Sequence, residues 1–415
     1  MNHPRLAAVL ISAGLLVPVA ALGQAPAPAP TEGENLVRIY GVVNTRIVVS
    51  SGAVESFSQP NASAISAAGN PVFSNEPDDA RYSFQAAQTR FGLWVNEKGS
   101  LRGHVELDFI DFAKATPTVA SMPRLRIAIA EYAFSPGHTL ALGQDWDLHA
   151  PMNTHSINMV GNLFQAGNAG FMRQQLRYVY SGTGVELGAA LGFPAANITP
   201  KDAALELGSL PTLALRAAYK AGKNKVGVSA LGAALPFGRG TDQARRAFAF
   251  STVLYTELFP TANTNIRAEL NFGQDAANLG MLTLAQGNVA EDVREVGGWV
   301  SVRQALTSEH ALYAMVGTEH VLNRDDLAPS YTYAAPPTDG TPPAFSTATL
   351  AGTGPGIRDN TTVRVGYEFK PVTTTSIILE GFGYRTHHRL QAVDEGRANA
   401  VRHAYGVETG VLLSF

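Results

Sequence analysis

Taken two residues at a time, the last fifteen positions of the chain separate into two faces. Val401, His403, Tyr405, Val407, Thr409, Val411, Leu413 and Phe415 form a mostly apolar one. Arg402, Ala404, Gly406, Glu408, Gly410, Leu412 and Ser414 form a smaller, more polar one. A two-residue period predicts a strand, because successive side chains of an extended chain point to opposite sides. The same period recurs far upstream. In residues 37–49, Val37, Ile39, Gly41, Val43, Ile47 and Val49 oppose Arg38, Tyr40, Asn44 and Arg46. In 82–96, Phe91, Leu93 and Val95 oppose Gln88, Arg90 and Asn96, with Trp94 on the polar side. In 101–112, Leu101, Val105, Leu107 and Phe109 oppose Arg102, His104, Glu106 and Asp108. In 124–134, Leu125, Ile127 and Ile129 oppose Arg124 and Arg126, and in 171–180 Leu176, Tyr178 and Tyr180 oppose Arg173, Gln175 and Arg177.

Further strands are predicted over 138–146, 185–193, 213–219, 225–235, 246–258, 265–273, 294–304, 310–321, 362–370 and 374–384, giving eight hairpins and sixteen strands. The connections carry as much information as the strands. Tight turns at 97–100, 135–137, 181–184, 222–224, 259–263, 305–309 and 371–373 alternate with long stretches at 50–81, 113–123, 147–170, 194–212, 275–292, 323–361 and 386–400. Only 236–245 is intermediate. A secreted two-layer sandwich gives no reason for loops to lengthen at one end only. A tilted strand of about 9–11 residues crosses a bilayer, and in lipid a sheet must close because an open edge leaves its backbone groups unpaired. The expectation is an all-β fold: a 16-stranded antiparallel transmembrane barrel over 36–415, with short periplasmic turns and long extracellular loops. Sixteen strands enclose an aqueous lumen.

The N-terminus sharpens this picture. Residues 1–23 carry His3 and Arg5, an apolar run over 6–22 and small residues near Ala20 and Gly23, the layout of a secretory signal peptide. Residues 24–35, with the run Ala25–Pro30, read as a stiff Ala/Pro-rich spacer. The 415 residues are 16% charged, against about 25% in average usage. There is no Cys, which excludes a disulfide scaffold, a Cys-ligated metal and a thiol nucleophile, and the net charge of −3 gives no reason to expect nucleic acid.

Several short motifs carry a family resemblance. Gln88-Thr89-Arg90-Phe91-Gly92-Leu93 and Glu106-Leu107-Asp108-Phe109 look like early strands of diffusion porins, and the terminal Phe415 resembles their closing strand, where a final aromatic serves as assembly signal. Arg124-Leu125-Arg126, with Leu142-Gly143-Gln144-Asp145-Trp146 and a long loop after it, is most similar to the dicarboxylate-type (DcaP-like) members. The chain thus resembles Gram-negative trimeric outer-membrane porins, although an Ala/Pro spacer stands where DcaP-like porins often carry a helical coiled coil. The resemblance implies an outer-membrane homotrimer, in contact with lipid and lipopolysaccharide, that passes small anionic solutes passively and uses no cofactor or metal. It also implies that the loop at 147–170 folds inward and narrows the channel.

Strand phase nominates the wall of such a lumen. The polar faces of the early strands offer Arg38, Arg46, Arg90, Arg102, Arg124, Arg126, Arg173, Arg177 and Arg216, against fewer acids, Glu106, Asp108 and Glu186. An Arg at mid-membrane on the lipid face costs about 2–4 kcal/mol, so these side chains should face water. Some would brace the wall by pairing with the acids; as a group they would attract anions. Asp145, and Asp147, His149, Asn153, His155 and Asn158 on the loop, would face the arginines across the constriction and set up a transverse field. Asp145, Asp147, His149 and His155 make a weak metal drawing, as do His387 and His388, for want of a third ligand at disciplined spacing. Ser156 beside His155 is a poor hydrolase signature, and Gly352–Gly356 lacks the Lys of a phosphate loop. Two other classes compete with a channel: an outer-membrane enzyme with a catalytic Ser/His/Asp cluster at one rim, and a plugged structural or adhesive barrel.

Overall fold

The computed structural model describes residues 36–54, 60–62, 80–110, 123–156, 162–170, 172–193, 211–237, 245–284, 287, 291–323, 332–333, 345–346, 357–388 and 401–415. The expected signal peptide and spacer lie outside the described residues. The strands are β1 (Val37–Ser51), β2 (Ala80–Gln85), β3 (Arg90–Val95), β4 (Leu101–Asp108), β5 (Arg124–Ser135), β6 (His138–Trp146), β7 (Met172–Ser181), β8 (Val185–Gly192), β9 (Thr212–Ala221) and β10 (Asn224–Phe237). They continue as β11 (Arg245–Thr261), β12 (Thr264–Gln274), β13 (Arg294–Ala305), β14 (His310–Val321), the two-residue pair β15 (Thr332–Tyr333) and β16 (Phe345–Ser346), β17 (Ile357–Val372), β18 (Thr375–His388) and β19 (Val401–Ser414).

All but β15 and β16 belong to one antiparallel sheet in which each strand pairs with its neighbours in order, and β1 closes it against β19 from Val42↔Ser414 to Ser50↔Gly406. β2 and β3 both pair with β1, one above the other, so they are two halves of a single stave. Seventeen segments therefore make a closed barrel of sixteen staves. The seam ends where the chain does: the Gly41 N–H donates to Phe415 O at 3.0 Å, and the Phe415 N–H donates to Gly41 O at 3.1 Å.

Two local expectations need correction. The second strand is not continuous over 82–96: it breaks between β2 and β3, where the Thr89 N–H turns back onto Ala86 O at 3.0 Å. In β5 the phase slips. Glu106 pairs with Ile127 but Leu107 pairs with Leu125, so Arg126 is an extra residue in a β-bulge. Arg124 and Arg126 stay on the inner face, while Ile127 and Ile129 turn inward too and pack on Ala141.

The barrel is apolar outside and polar inside. Phe84 is 75% exposed, Ile39 70%, Leu142 65% and Phe248 61%. The alternate positions bury Asn44, Glu106, Asp108, Glu269, Asn271, Glu319, Arg364, Glu380 and Glu408. A continuous apolar outer surface of this extent is unsuited to water and suited to hydrocarbon. The tight turns gather at one end of the barrel, where β9 meets β10 and β11 meets β12. At the other end the strand ends are joined through longer stretches of sequence.

Candidate solute pathway

After β6 the chain leaves the wall and meets inward-facing side chains of one strand after another. Asp147 Oδ2 accepts from Arg173 Nε on β7 at 2.6 Å. His149 Nε2 lies 2.9 Å from Ser251 Oγ on β11, and the His149 carbonyl accepts from the Ser229 hydroxyl on β10. The Met152 N–H donates to Glu269 Oε1 on β12 at 3.0 Å. His155 holds Ser301 of β13 through Nδ1 at 2.7 Å and Asn265 of β12 through Nε2 at 2.5 Å. The Ser156 hydroxyl donates to Glu380 Oε2 on β18 at 3.0 Å.

The returning limb is held as closely. The Gly167 N–H donates to Glu319 Oε2 at 3.3 Å, Asn271 Nδ2 donates to Gly167 O at 2.6 Å, and Asn360 Nδ2 donates to Gln165 O at 3.0 Å. Glycine is required here. Gly167 has φ 102°, and a Cβ on it would sit 2.3 Å from Gly298 O; one on Gly317 would sit 2.1 Å from Ala166 O. Phe164 packs against Ile110 and Met172, on the side of the wall where the loop begins. A second piece of chain is lodged against the same face, where Pro60 O accepts from Asn360 Nδ2 at 2.9 Å and from the Thr362 hydroxyl at 3.0 Å.

Burial sets the charge state of the loop. It pushes His149 and His155 down to about 4, so both are neutral at neutral pH. Burial alone would raise Asp147, but the Arg173 guanidinium, with smaller help from His149, holds it below the usual carboxylate range.

The wall is laced with ion pairs. Near the start of the loop, Arg177 reaches Asp145 at 2.8 Å and Glu131 at 3.4 Å, and Arg102 reaches Glu131 at 2.6 Å. Beside them Arg124 meets Asp108 at 2.6 Å, while Arg126 meets Glu106 at 3.1 Å and lies over the Trp146 ring at 5.7 Å. Arg216 meets Glu186 at 2.9 Å. Across the barrel Arg364 is clamped between Glu380 and Glu408, and Arg46 meets Glu408 at 3.2 Å.

The nominated residues therefore divide. Arg46, Arg126 and Arg173, at 6%, 3% and 4% exposure, are covered, and Asp108 is fully buried. Asp145 and Asp147 do not face arginines across a gap, because they touch Arg177 and Arg173 directly. Arg124 and Arg177 are paired and part-buried. Arg90, half-buried on β3, has no carboxylate partner among the described residues. Among the described residues no three His, Asp or Glu side chains come together as a metal-holding group. His387 Nδ1 instead lies 3.0 Å from Asp359 Oδ2. The group of Arg364, Glu380 and Glu408 lies on the late strands, outside the early ones whose polar faces nominate the wall. The same inward phase (Thr362, Arg364, Glu368) would have exposed it.

No protein-family model matches the chain, and no curated protein sequence does either. Solved structures do. The Comamonas acidovorans anion-selective porin aligns over 91% of this chain and 99% of its own at 10% identity, with a TM-score of 0.52. The chain has the porin fold. OmpF of Salmonella typhi, solved with daunomycin, aligns over 91% and 97% at 10% identity and TM-score 0.54. A loop-deleted OmpT, an outer membrane protein of Vibrio cholerae, gives 91%, 99%, 13% and 0.50. At such identities the likeness concerns the fold alone. A closed antiparallel barrel with an apolar outer belt leaves no open sheet edge and suits a bilayer.

Proposed function

We propose that this porin-fold barrel is a passive diffusion channel for small hydrophilic solutes that favours anions, dicarboxylates among them, and works as a homotrimer. The observation that carries the reading is the half-buried Arg90, which has no carboxylate partner among the described residues, beside the Arg124–Asp108 and Arg126–Glu106 pairs. No covalent step is involved. Solutes move down their gradient, sorted by aperture and by wall charge. A net preference of about 1 kcal/mol changes a permeability ratio about fivefold.

The amount of chain lodged against the inner wall, including residues 60–62, favours one second reading, a plugged structural barrel. Among the described residues His155 is held by Ser301 and Asn265 rather than by Ser156, and His149, beside Ser251 and Asp147, is sealed from solvent, so neither histidine favours an enzyme. Liposome swelling separates the readings. Proteoliposomes should swell in arabinose, and faster per unit osmolarity in succinate than in a cationic solute of similar size. Arg90→Gln should reduce that difference. Liposomes that do not swell in any small solute would establish the plugged barrel.

A further inference from the structure

The charge at the turn end of the barrel is arranged more one-sidedly than the sequence suggests. On β9 to β12, Lys220 pairs directly with Lys225, Lys225 with Glu257, and Glu257 with Arg267. All four lie on the inner face, since Tyr219, Val226, Leu258 and Leu270 show their alternates outside. Arg303 on β13 stands opposite Asn265, two residues from Arg267 and one pleat nearer the turns. Lys370 on β17 extends the row. Three carboxylates hold these groups. Glu186 takes Arg216 at 2.9 Å, Lys220 at 2.7 Å and Lys225 at 3.1 Å. Glu257 takes Arg267 at 2.8 Å, and Glu368 takes Arg303 at 2.9 Å and Lys370 at 3.2 Å. Six cations against three anions leave this arc with a net charge of +3.

Two of the three acids are also hidden behind their partners, and Glu257, at 22%, is less exposed than its partner Arg267 at 32%. Lys220 and Arg303 are each 32% exposed and Lys370 40%, whereas Glu186 and Glu368 are 10% exposed. Water in the mouth meets cationic heads, and the countercharge sits at the wall. By contrast Arg38 with Glu97, and Arg102 and Arg177 with Glu131 and Asp145, balance on the opposite side. The Arg267 guanidinium also donates to the Asn153 carbonyl at 3.2 Å, so the arc adjoins the loop itself.

We infer that this arc, from Lys220 to Lys370, is an anion-collecting vestibule at the turn-end mouth, which concentrates small multivalent anions next to the narrowing. The inference rests on the reading of the barrel as an anion-favouring channel and supplies that channel with a second selectivity element, on the wall away from Arg90. A vestibule charge acts through the local potential, so its effect must fade as salt shortens the screening length, from about 30 Å at 0.01 M to about 10 Å at 0.1 M. The potential acts twice on a divalent ion, so its enrichment is the square of that for a monovalent one.

The test uses full-length barrels reconstituted in planar bilayers, with reversal potentials in potassium chloride and in potassium sulfate gradients. Lys220→Gln with Lys225→Gln should lower the chloride-to-potassium permeability ratio about twofold and the sulfate ratio about fourfold near 0.01 M, with little change near 1 M. Lys370→Gln, at the most exposed position, gives a smaller shift of the same sign and covers a double variant that fails to fold. Ratios equal to wild type at low salt in the folded variants would overturn the vestibule. A potassium-preferring wild type would instead overturn the anion-channel reading, and the wild-type-to-variant difference would still decide the vestibule.

Discussion

His149 is a neutral histidine sealed between the loop and the wall, and acid should loosen it. Its side chain is fully buried against Ser251 and Ser229, with the Asp147–Arg173 pair beside it. Burial brings its pKa down to about 4, against 6.5 for a free imidazole. A histidine depressed in the native state holds its full stabilisation above the unfolded value and loses it as pH falls towards the native one. For values of 6.5 and about 4, acidification from about pH 7 to about pH 4.5 removes about 2 kcal/mol from the attachment of the loop. That corresponds to about a thirtyfold rise in the ratio of released to attached loop. Asp147, held low by Arg173, stays charged through this window and does not share the titration. Single-channel recording reads the effect as more frequent transitions between conductance levels at acidic pH. His149→Gln keeps a neutral hydrogen-bonding side chain that cannot titrate, so its transition frequency should rise much less between the two pH values. Equal acid-induced increases in wild type and variant would refute the assignment of the transitions to His149.

Arg364→Met should be the most damaging single change in the wall, because it takes the cation from Glu380 and leaves Glu408 only Arg46, in a site where the Arg364, Glu380 and Glu408 side chains are 1–3% exposed. Breaking a buried pair in this way costs about 3–5 kcal/mol, read as a lower transition temperature of the folded band in electrophoresis. An unchanged transition would contradict the clamp. Gly317→Ala pushes a methyl group to 2.1 Å from the Ala166 carbonyl, so the loop must shift by a cost of about 1–3 kcal/mol. Conductance fluctuations should increase while the barrel transition stays put, and a change in the barrel alone would refute the contact. Deleting Phe415 removes the two seam hydrogen bonds with Gly41 and the ring contact with Phe91 at 6.1 Å, and should slow the appearance of the folded band during refolding. Wild-type refolding rates for the truncated chain would remove the seam from the account.

The wall was legible because one rule generates it. Wherever every second residue is Val, Ile, Leu, Phe or Tyr, as from Val401 to Phe415, the structure has a stave with that face outward. The rule fails where the backbone inserts or breaks. One extra residue at Arg126 turns Ile127 and Ile129 inward, and Ala86-Ala87-Gln88-Thr89 interrupts a strand without any Pro or Gly to mark it. Facing was therefore readable, but partnership was not. Whether an inward Arg meets water or an acid depends on contacts such as Arg46–Glu408, 362 positions apart, or Ser156–Glu380, 224 apart. No local pattern encodes these. For the same reason Arg173 and Arg126, which share the inward phase of Arg90, end up covered while Arg90 does not.

The central claim is that water and small anions pass through the lumen despite the chain held against its wall. The most direct measurement is the zero-current potential of single wild-type channels across a tenfold potassium chloride gradient at low ionic strength. The account predicts discrete conductance steps and a potential of the sign that favours chloride. A barrel that inserts and stays silent, or conducts with the sign that favours potassium, would contradict it.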